Sequence, residues 1–205
     1  MTHAPTAMHP ARLWIIRHGN TQWSTQMLHT GRTDVPLNSE GEQAAQRLAP
    51  FIATLQPALV LCSPLQRAQQ TAQLAGIRSY ELEPAAMEWD YGAWEGRRTV
   101  DIRTELDDPT WVIWDHPVPA GDTPGEQLDQ VARRATEVID RCRPVMQAGH
   151  DCVLVAHGQF LRILAATWLG MPPIFGRHLA LDPAHIGALG WEHSCPVIRS
   201  WNLTA

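Results

Sequence analysis

The sequence predicts an α/β fold: three layers, α/β/α, around a mostly parallel central sheet. Three observations lead there. Leu13–Arg17, Ala58–Cys62 and Cys152–Ala156 are short apolar runs with the length of buried strands. Each leads into a stretch whose apolar residues recur at helical spacing, or into a loop that ends in one. Helix-start signals recur between them. Strands alternating with helices place the helices on both faces of a parallel sheet.

Taken in order, Leu13–Arg17 is the first strand, and a long loop runs from it to Asn38. Ser39 with Glu42 reads as a capping box, opening a helix with Ala44, Leu48, Ile52 and Leu55 on one face. Pro50 should break or kink that helix, because it lacks an amide hydrogen and crowds the carbonyl four residues back. After Ala58–Cys62, Ser63 reads as an N-cap, Pro64 as the first helical residue and Gln66 as the return partner. Leu65, Ala68, Ala72 and Ala75 form the inward stripe of that helix. Thr123 to Glu126 is a third capping box, ahead of Leu128, Val131, Ala135, Val138 and Cys142. Cys152–Ala156 precedes a helix from about Gln159 to Leu169, stopped by Gly170 and Pro172-Pro173. Two more strands are expected near Ile186–Trp191 and Val197–Leu203. No internal repeat interrupts this order.

The 205 residues suit one domain over 11–205, large enough to bury a core without cross-links. Residues 1–10 are rich in Pro, Thr and His and are expected to form a flexible tail. They have neither the basic start nor the apolar stretch of a signal peptide. No run approaches the roughly 20 apolar residues of a membrane span. A net charge of −5 argues against a nucleic-acid or membrane-surface partner, which would select a basic face. The four cysteines are widely spaced, and Cys62 and Cys152 fall within apolar runs. Buried free thiols in a reducing cytoplasm are the expectation.

The chemistry concentrates where two strands end. Arg17-His18-Gly19-Asn20 follows the first, and Ala156-His157-Gly158 closes the third. An imidazole there is a nucleophile suited to phosphoryl transfer. Arginine neutralises phosphate oxygens, and glycine admits backbone amides to them. If the strands are neighbours, both histidines converge at the carboxyl edge of the sheet, where open α/β sheets bind ligands. Arg67 falls in the first turn of a helix, which also favours an anion. The remaining histidines, among them His29, have no metal-ligand spacing, so no metal and no cofactor is expected and each is assigned a structural role. The segment from 81 to 123 breaks the strand–helix rhythm. Its Trp89, Tyr91, Trp94, Trp111 and Trp114 suggest an irregular aromatic cap over the pocket.

Five motifs in order carry a resemblance: Arg17 to Thr21, Thr30 to Asn38, Ser63 to Ala72, Glu88 to Gly96, and Ala156 to Gly158. Together they resemble the histidine phosphatase superfamily, in its phosphoglycerate-mutase-like branch. The resemblance implies that His18 is the phosphorylated nucleophile and that Arg17, Arg67 and His157 bind the phosphoryl group, with Asn20 and Gly158 beside them. It implies that Glu88 is the general acid. Set among tryptophans, that carboxyl group should hold its proton more tightly through desolvation. Arginines and a cationic His157 would then supply the positive charge that a metal gives elsewhere. Ser24, Thr30, Gly31, Trp89, Tyr91, Arg97, Arg98 and Gln159 are the candidate substrate-binding residues.

Departures from the mutase pattern point to the phosphatase members. Mutases of the family carry asparagine where this chain has Ser24 and often where it has Gln159. They carry arginine, which holds the substrate carboxylate, where it has Trp89. An indole in place of that clamp suggests a less acidic substrate, with Arg97 and Arg98 left to grip a second phosphate or a carboxylate. A small phosphorylated metabolite such as a sugar phosphate is the expected substrate, hydrolysed through a phosphohistidine. The alternatives are a 2,3-bisphosphoglycerate-dependent mutase and a catalytically silent phospho-ligand-binding module. The intact set of His18, Arg67, Glu88 and His157 argues against silence, because a binding module has no need of a general acid. A homodimer is left open.

Overall fold

The structure is a computed structural model and describes residues 11–204. The tail expected at residues 1–10 lies outside the described residues. Six strands form one sheet in the order β3-β2-β4-β1-β5-β6. They are β1 (Leu13–Arg17), β2 (Leu59–Cys62), β3 (Glu81–Leu82), β4 (Cys152–Ala156), β5 (Ile186–Glu192) and β6 (Cys195–Leu203). β3, β2, β4 and β1 run parallel, whereas β5 and β6 add an antiparallel edge. The sheet is therefore mixed. The short turn between β5 and β6 makes them a hairpin, which forces antiparallel pairing.

Alternation along the strands sends side chains to two cores. Leu13 and Ile15 of β1, with Leu154 of β4, pack under α6 (Leu128–Gln147) and α7 (Gly158–Trp168). Trp14 and Ile16, with Val153 and Val155, face α2 (Ser39–Arg47), α3 (Ala49–Ile52) and α4 (Gln66–Leu74). Every residue of β4 is buried, as a central strand covered on both faces must be. Full burial of one such Leu or Val contributes about 1.5–3 kcal/mol.

Three expected helix starts move. Asn38, not Ser39, caps α2, its side chain accepting the Gly41 amide at 2.8 Å. The third capping box forms at Gln127 and Gln130 rather than Thr123 and Glu126. Leu65 sits at the N-cap of α4 without a side-chain bond, because Ser63 is used elsewhere. Pro50 does break its helix: α2 ends before Leu48, and Pro50 is accommodated in the first turn of α3.

Between β2 and α6, the segment expected to be irregular contains β3 and the helix α5 (Thr99–Leu106). The remaining helix, α1 (Gln22–Thr25), is a single turn beside His18, capped by Thr21 and Ser24 in a reciprocal box. None of the helices among the described residues is long and apolar enough to cross a membrane. Cys62, Cys142 and Cys152 are buried, Cys195 is exposed, and all four are free thiols.

Candidate active site

Strand pairing brings the two His-Gly motifs together. Arg17 of β1 stands opposite Ala156 of β4 in parallel register, so the next residue of each strand is a histidine. The His18 amide donates to the Ala156 carbonyl at 3.0 Å, and the two imidazole centres lie 5.1 Å apart. Both residues are buried, together with Glu88 and Arg67.

His18 Nδ1 lies 2.7 Å from the Gly19 carbonyl, which only accepts, so Nδ1 carries the proton. Nε2 of the neutral ring therefore keeps its lone pair. Burial, then the charges of Arg67 and Arg17, push His18 well below the usual histidine range. The ring stays neutral at neutral pH, the form a nucleophile needs. Gly19 serves packing rather than anion binding. Its amide donates to Thr71 Oγ1 at 3.1 Å, and a side chain there would meet the Gly41 carbonyl at 2.5 Å.

His157 accepts Arg67 Nε–H on Nδ1 at 3.2 Å, so its own proton sits on Nε2 and is donated to Ser63 Oγ at 2.7 Å. Here is the use of Ser63 that removes it from the helix cap. Burial, then Arg67 and His18, hold His157 well below the usual range. The cation expected from the sequence is thus a neutral ring in the free protein, with both ring nitrogens already used by protein partners.

Arg67 lies behind His157 rather than on the cavity wall. Of its five N–H donors, four are held by His157 Nδ1 and the carbonyls of Thr30, Gly31 and Thr33. Arg17 is different. Its terminal nitrogen donates to the Leu181 carbonyl at 2.5 Å, but its buried Nε has no partner. An unmet buried donor costs about 1–3 kcal/mol, so this atom is preset for an acceptor. Gly158 admits it: a Cβ there would stand 3.0 Å from the Arg17 guanidinium.

Glu88 is buried as expected, but its carboxylate does not rest in an apolar shell. Oε1 accepts the amides of Phe160 at 2.8 Å and Trp89 at 2.9 Å, and Oε2 accepts that of Gln159 at 3.1 Å. Two of these amides belong to the first turn of α7, a natural seat for a carboxylate. Arg134 of α6 fixes the approach to it, donating to the Ala85, Met87 and Glu88 carbonyls while paired with Glu126 at 2.7 Å. Glu126 is therefore an ion-pair hub rather than a helix cap.

A cavity of about 200 Å³ opens beside Arg17, His18 and Glu88, with His157 and Arg67 outside its lining. Its inner wall is Arg17, His18, Glu88 and Gly158. Ser24, Thr30, Tyr91 and Gln159 also line it, in agreement with the sequence reading. Burial and the charges of Glu88 and Glu95 push Tyr91 well above the usual tyrosine range, so its hydroxyl remains a donor. Asn20 stands beside the wall, its Oδ1 accepting from Ser24 Oγ at 3.4 Å.

Four candidates fall elsewhere. Trp89 is 1% exposed and its indole N–H donates to the Glu126 carbonyl at 2.7 Å, so it is packed in the core and does not line the cavity. The mutase arginine remains absent from this position, but the indole that replaces it is not part of the cavity lining. Gly31 is taken up by loop contacts: its amide donates to Glu95 at 2.9 Å and its carbonyl accepts from Arg67. Arg97 pairs with Glu105 on the surface, and Arg98 pairs with Asp101 at 2.7 Å. Neither arginine lines the cavity, and each is paired instead with a carboxylate of α5.

Sequence reasoning missed His29 and Arg162, which line the cavity. His29 packs against Tyr91 and Trp111, with ring centres 5.0 and 6.1 Å away, and burial pushes it down to about 4. It is a neutral wall of the pocket rather than a remote structural histidine. Arg162 follows Gly158 by four residues on α7, a spacing that places both on one helix face.

Comparison with known proteins agrees with this geometry. The family model for the histidine phosphatase superfamily (branch 1) matches residues 13–204. An acid phosphatase of Mycobacterium tuberculosis is 36% identical over 195 residues, covering 94% of this chain and 93% of that protein. An adenosylcobalamin/alpha-ribazole phosphatase of Escherichia coli is 32% identical over 200 residues, covering 95% and 97%. A solved Mycobacterium tuberculosis structure, of an open reading frame, superposes with a TM-score of 0.87 at 35% identity and covers 96% of this chain and 99% of that one. With the paired strand-end histidines, the buried arginines and the carboxylate held at the start of α7 in place, the chain belongs to branch 1 of the histidine phosphatase superfamily and is a phosphatase.

Proposed function

We propose that the protein is a metal-independent phosphomonoesterase that acts on small phosphorylated metabolites, sugar phosphates or similar, through a phosphohistidine. The observation that carries this reading is the state of His18: Nδ1–H is committed to the Gly19 carbonyl, which leaves Nε2 with a free lone pair in a cavity shared with Arg17 and Glu88. Nε2 attacks phosphorus in line, the ester P–O bond breaks, and a protonated Glu88 gives its proton to the departing oxygen. Oε2, with a single amide donor, is the oxygen with room for that proton. Arg17 Nε–H meets a phosphoryl oxygen, while Arg67 supplies charge from behind His157. Water then attacks the phosphohistidine, Glu88 takes its proton, and the P–N bond breaks to release phosphate.

This reading takes 11–205 as one catalytic domain, with the segment around 81–123 as its cap, working in the cytoplasm. A panel of phosphomonoesters with and without a chelator tests it. Phosphate release that the chelator leaves intact is expected, along with an acid-labile, base-stable label on the protein after rapid quench. His18→Ala should abolish both while leaving the circular dichroism unchanged. A mutase rate that far exceeds phosphate release and depends on 2,3-bisphosphoglycerate would overturn the reading.

A further inference from the structure

Residues 87–91, which carry Glu88, belong to no helix or strand. A carboxylate on such backbone needs its segment held by side chains, because no regular ladder of main-chain bonds fixes it. Arg134, in the second turn of α6, supplies the hold. Its Nε and one terminal nitrogen form a two-point pair with Glu126, at 2.7 and 2.8 Å, which sets the plane of the guanidinium. The other donors reach the carbonyls of Ala85 at 2.5 Å, Met87 at 2.9 Å and Glu88 at 3.3 Å. All five N–H groups thus have protein acceptors, and Arg134 does not line the cavity. It has no donor left for a substrate.

The same guanidinium meets the acid from a second side. Its carbon lies 5.2 Å from the centre of the buried Phe160 ring. The Phe160 amide is one of the two that Glu88 Oε1 accepts, at 2.8 Å. Arg134 therefore touches both the backbone from which Glu88 projects and the residue that seats its carboxylate. Glu126 extends the brace along the chain. Its Oε2 accepts the Asp90 amide at 3.0 Å, and its carbonyl accepts the Trp89 indole N–H at 2.7 Å. The two residues after Glu88 are thus tied to the glutamate that orients Arg134.

Resting on the reading of Glu88 as the general acid, we propose that Arg134 is the positioning residue of that acid and acts on catalysis only through it. Proton transfer to the departing oxygen needs Glu88 within hydrogen-bond reach, and a misplacement of about 1 Å costs on the order of 10²-fold in rate. Three carbonyls on one rigid fork hold the Glu88 segment to that tolerance. Losing the fork should slow the departure of the leaving group and spare binding, because Arg17 and His18 meet the phosphoryl group from the end of β1.

Two esters with different leaving groups provide the test: glycerol 3-phosphate, whose alkoxide departs only with a proton, and p-nitrophenyl phosphate, whose phenolate departs without one. In Arg134→Gln, kcat/KM for glycerol 3-phosphate should fall about tenfold or more, and for p-nitrophenyl phosphate less than about threefold. The inhibition constant of inorganic phosphate, which needs no acid, should stay within about twofold. Added to Glu88→Gln, Arg134→Gln should cost less than about a further twofold on glycerol 3-phosphate, because no acid is left to place. Arg134→Lys, which keeps the charge opposite Glu126 but loses the planar fork, should fall between Arg134→Gln and the wild type. Equal losses on both esters, or a fully additive loss in the double variant, would make Arg134 a structural residue and overturn the proposal. Should Arg134→Gln fail to fold, Arg134→Lys, alone and with Glu88→Gln, decides by the same two criteria. If Glu88→Gln itself slows both esters equally, the acid reading fails and the proposal falls with it. A selective Glu88→Gln beside an unselective Arg134→Gln sinks the proposal alone.

Discussion

The role proposed for Glu88 rests on one oxygen. Oε1 accepts two amides and Oε2 only one, so the proposal assigns the acid proton to Oε2. Glu88→Gln should slow alkyl phosphates roughly 10²–10⁴-fold and aryl phosphates far less, since a phenolate departs without a proton. Equal losses on both would reduce Glu88 to a positioning role. His29 acts on stability instead. Burial holds it near 4 in the folded chain, against about 6.5 when unfolded. The unfolded state therefore binds the proton first, and stability falls as pH drops from about 6.5 toward 4, by about 2 kcal/mol between pH 7.5 and 5 from this residue. Urea unfolding over that range should give a flatter pH profile for His29→Gln than for the wild type, and parallel profiles would remove His29 as a source.

At the level of elements, the start of α7 sets the site. Its first residue, Gly158, borders Arg17, its next two amides hold Glu88, and its fifth residue is Arg162. Gly158→Ala separates these uses. Alanine favours a helix by up to about 1 kcal/mol over glycine, so thermal stability should hold or rise. The added methyl group would press on the Arg17 guanidinium 3.0 Å away, and KM for any phosphomonoester should rise several-fold. A drop in stability with unchanged KM would contradict this account. The same helix shows what a sequence can and cannot say. Its strand, its start and both His-Gly motifs were legible because apolar runs and glycines are local signals. Arg162 was not, since an arginine on an amphipathic helix reads as solvated until its neighbours are known. α5 was missed because only Ile102 of its eight residues is buried, which leaves no apolar stripe. Ser63 mimicked a cap because Ser-Pro-x-Gln fits the pattern, whereas its hydroxyl was claimed by a histidine far along the chain. The aromatic segment announced itself by composition, but not which way Trp89 would face.

Across the whole molecule, the sheet isolates its thiols. Cys62, Cys142 and Cys152 are sealed between layers, and burial pushes Cys62 up to about 12. A thiol reagent should therefore titrate one group in the native protein, Cys195, and four after denaturation. Rapid reaction of a second thiol under native conditions would mean that the layers open locally. The strand order has a further consequence, for the way the chain comes into being. β1 is made well before both its sheet neighbours, β4 and β5. Its partners must arrive across a separation of about 140 residues, and such distant pairings are slow to close and leave strand edges open while they wait. His18 is thus made long before the strand that aligns it. A ribosome-bound chain halted before β4 would carry His18 without the strand that aligns it, and the pocket could form only after β4 and α7 have been made.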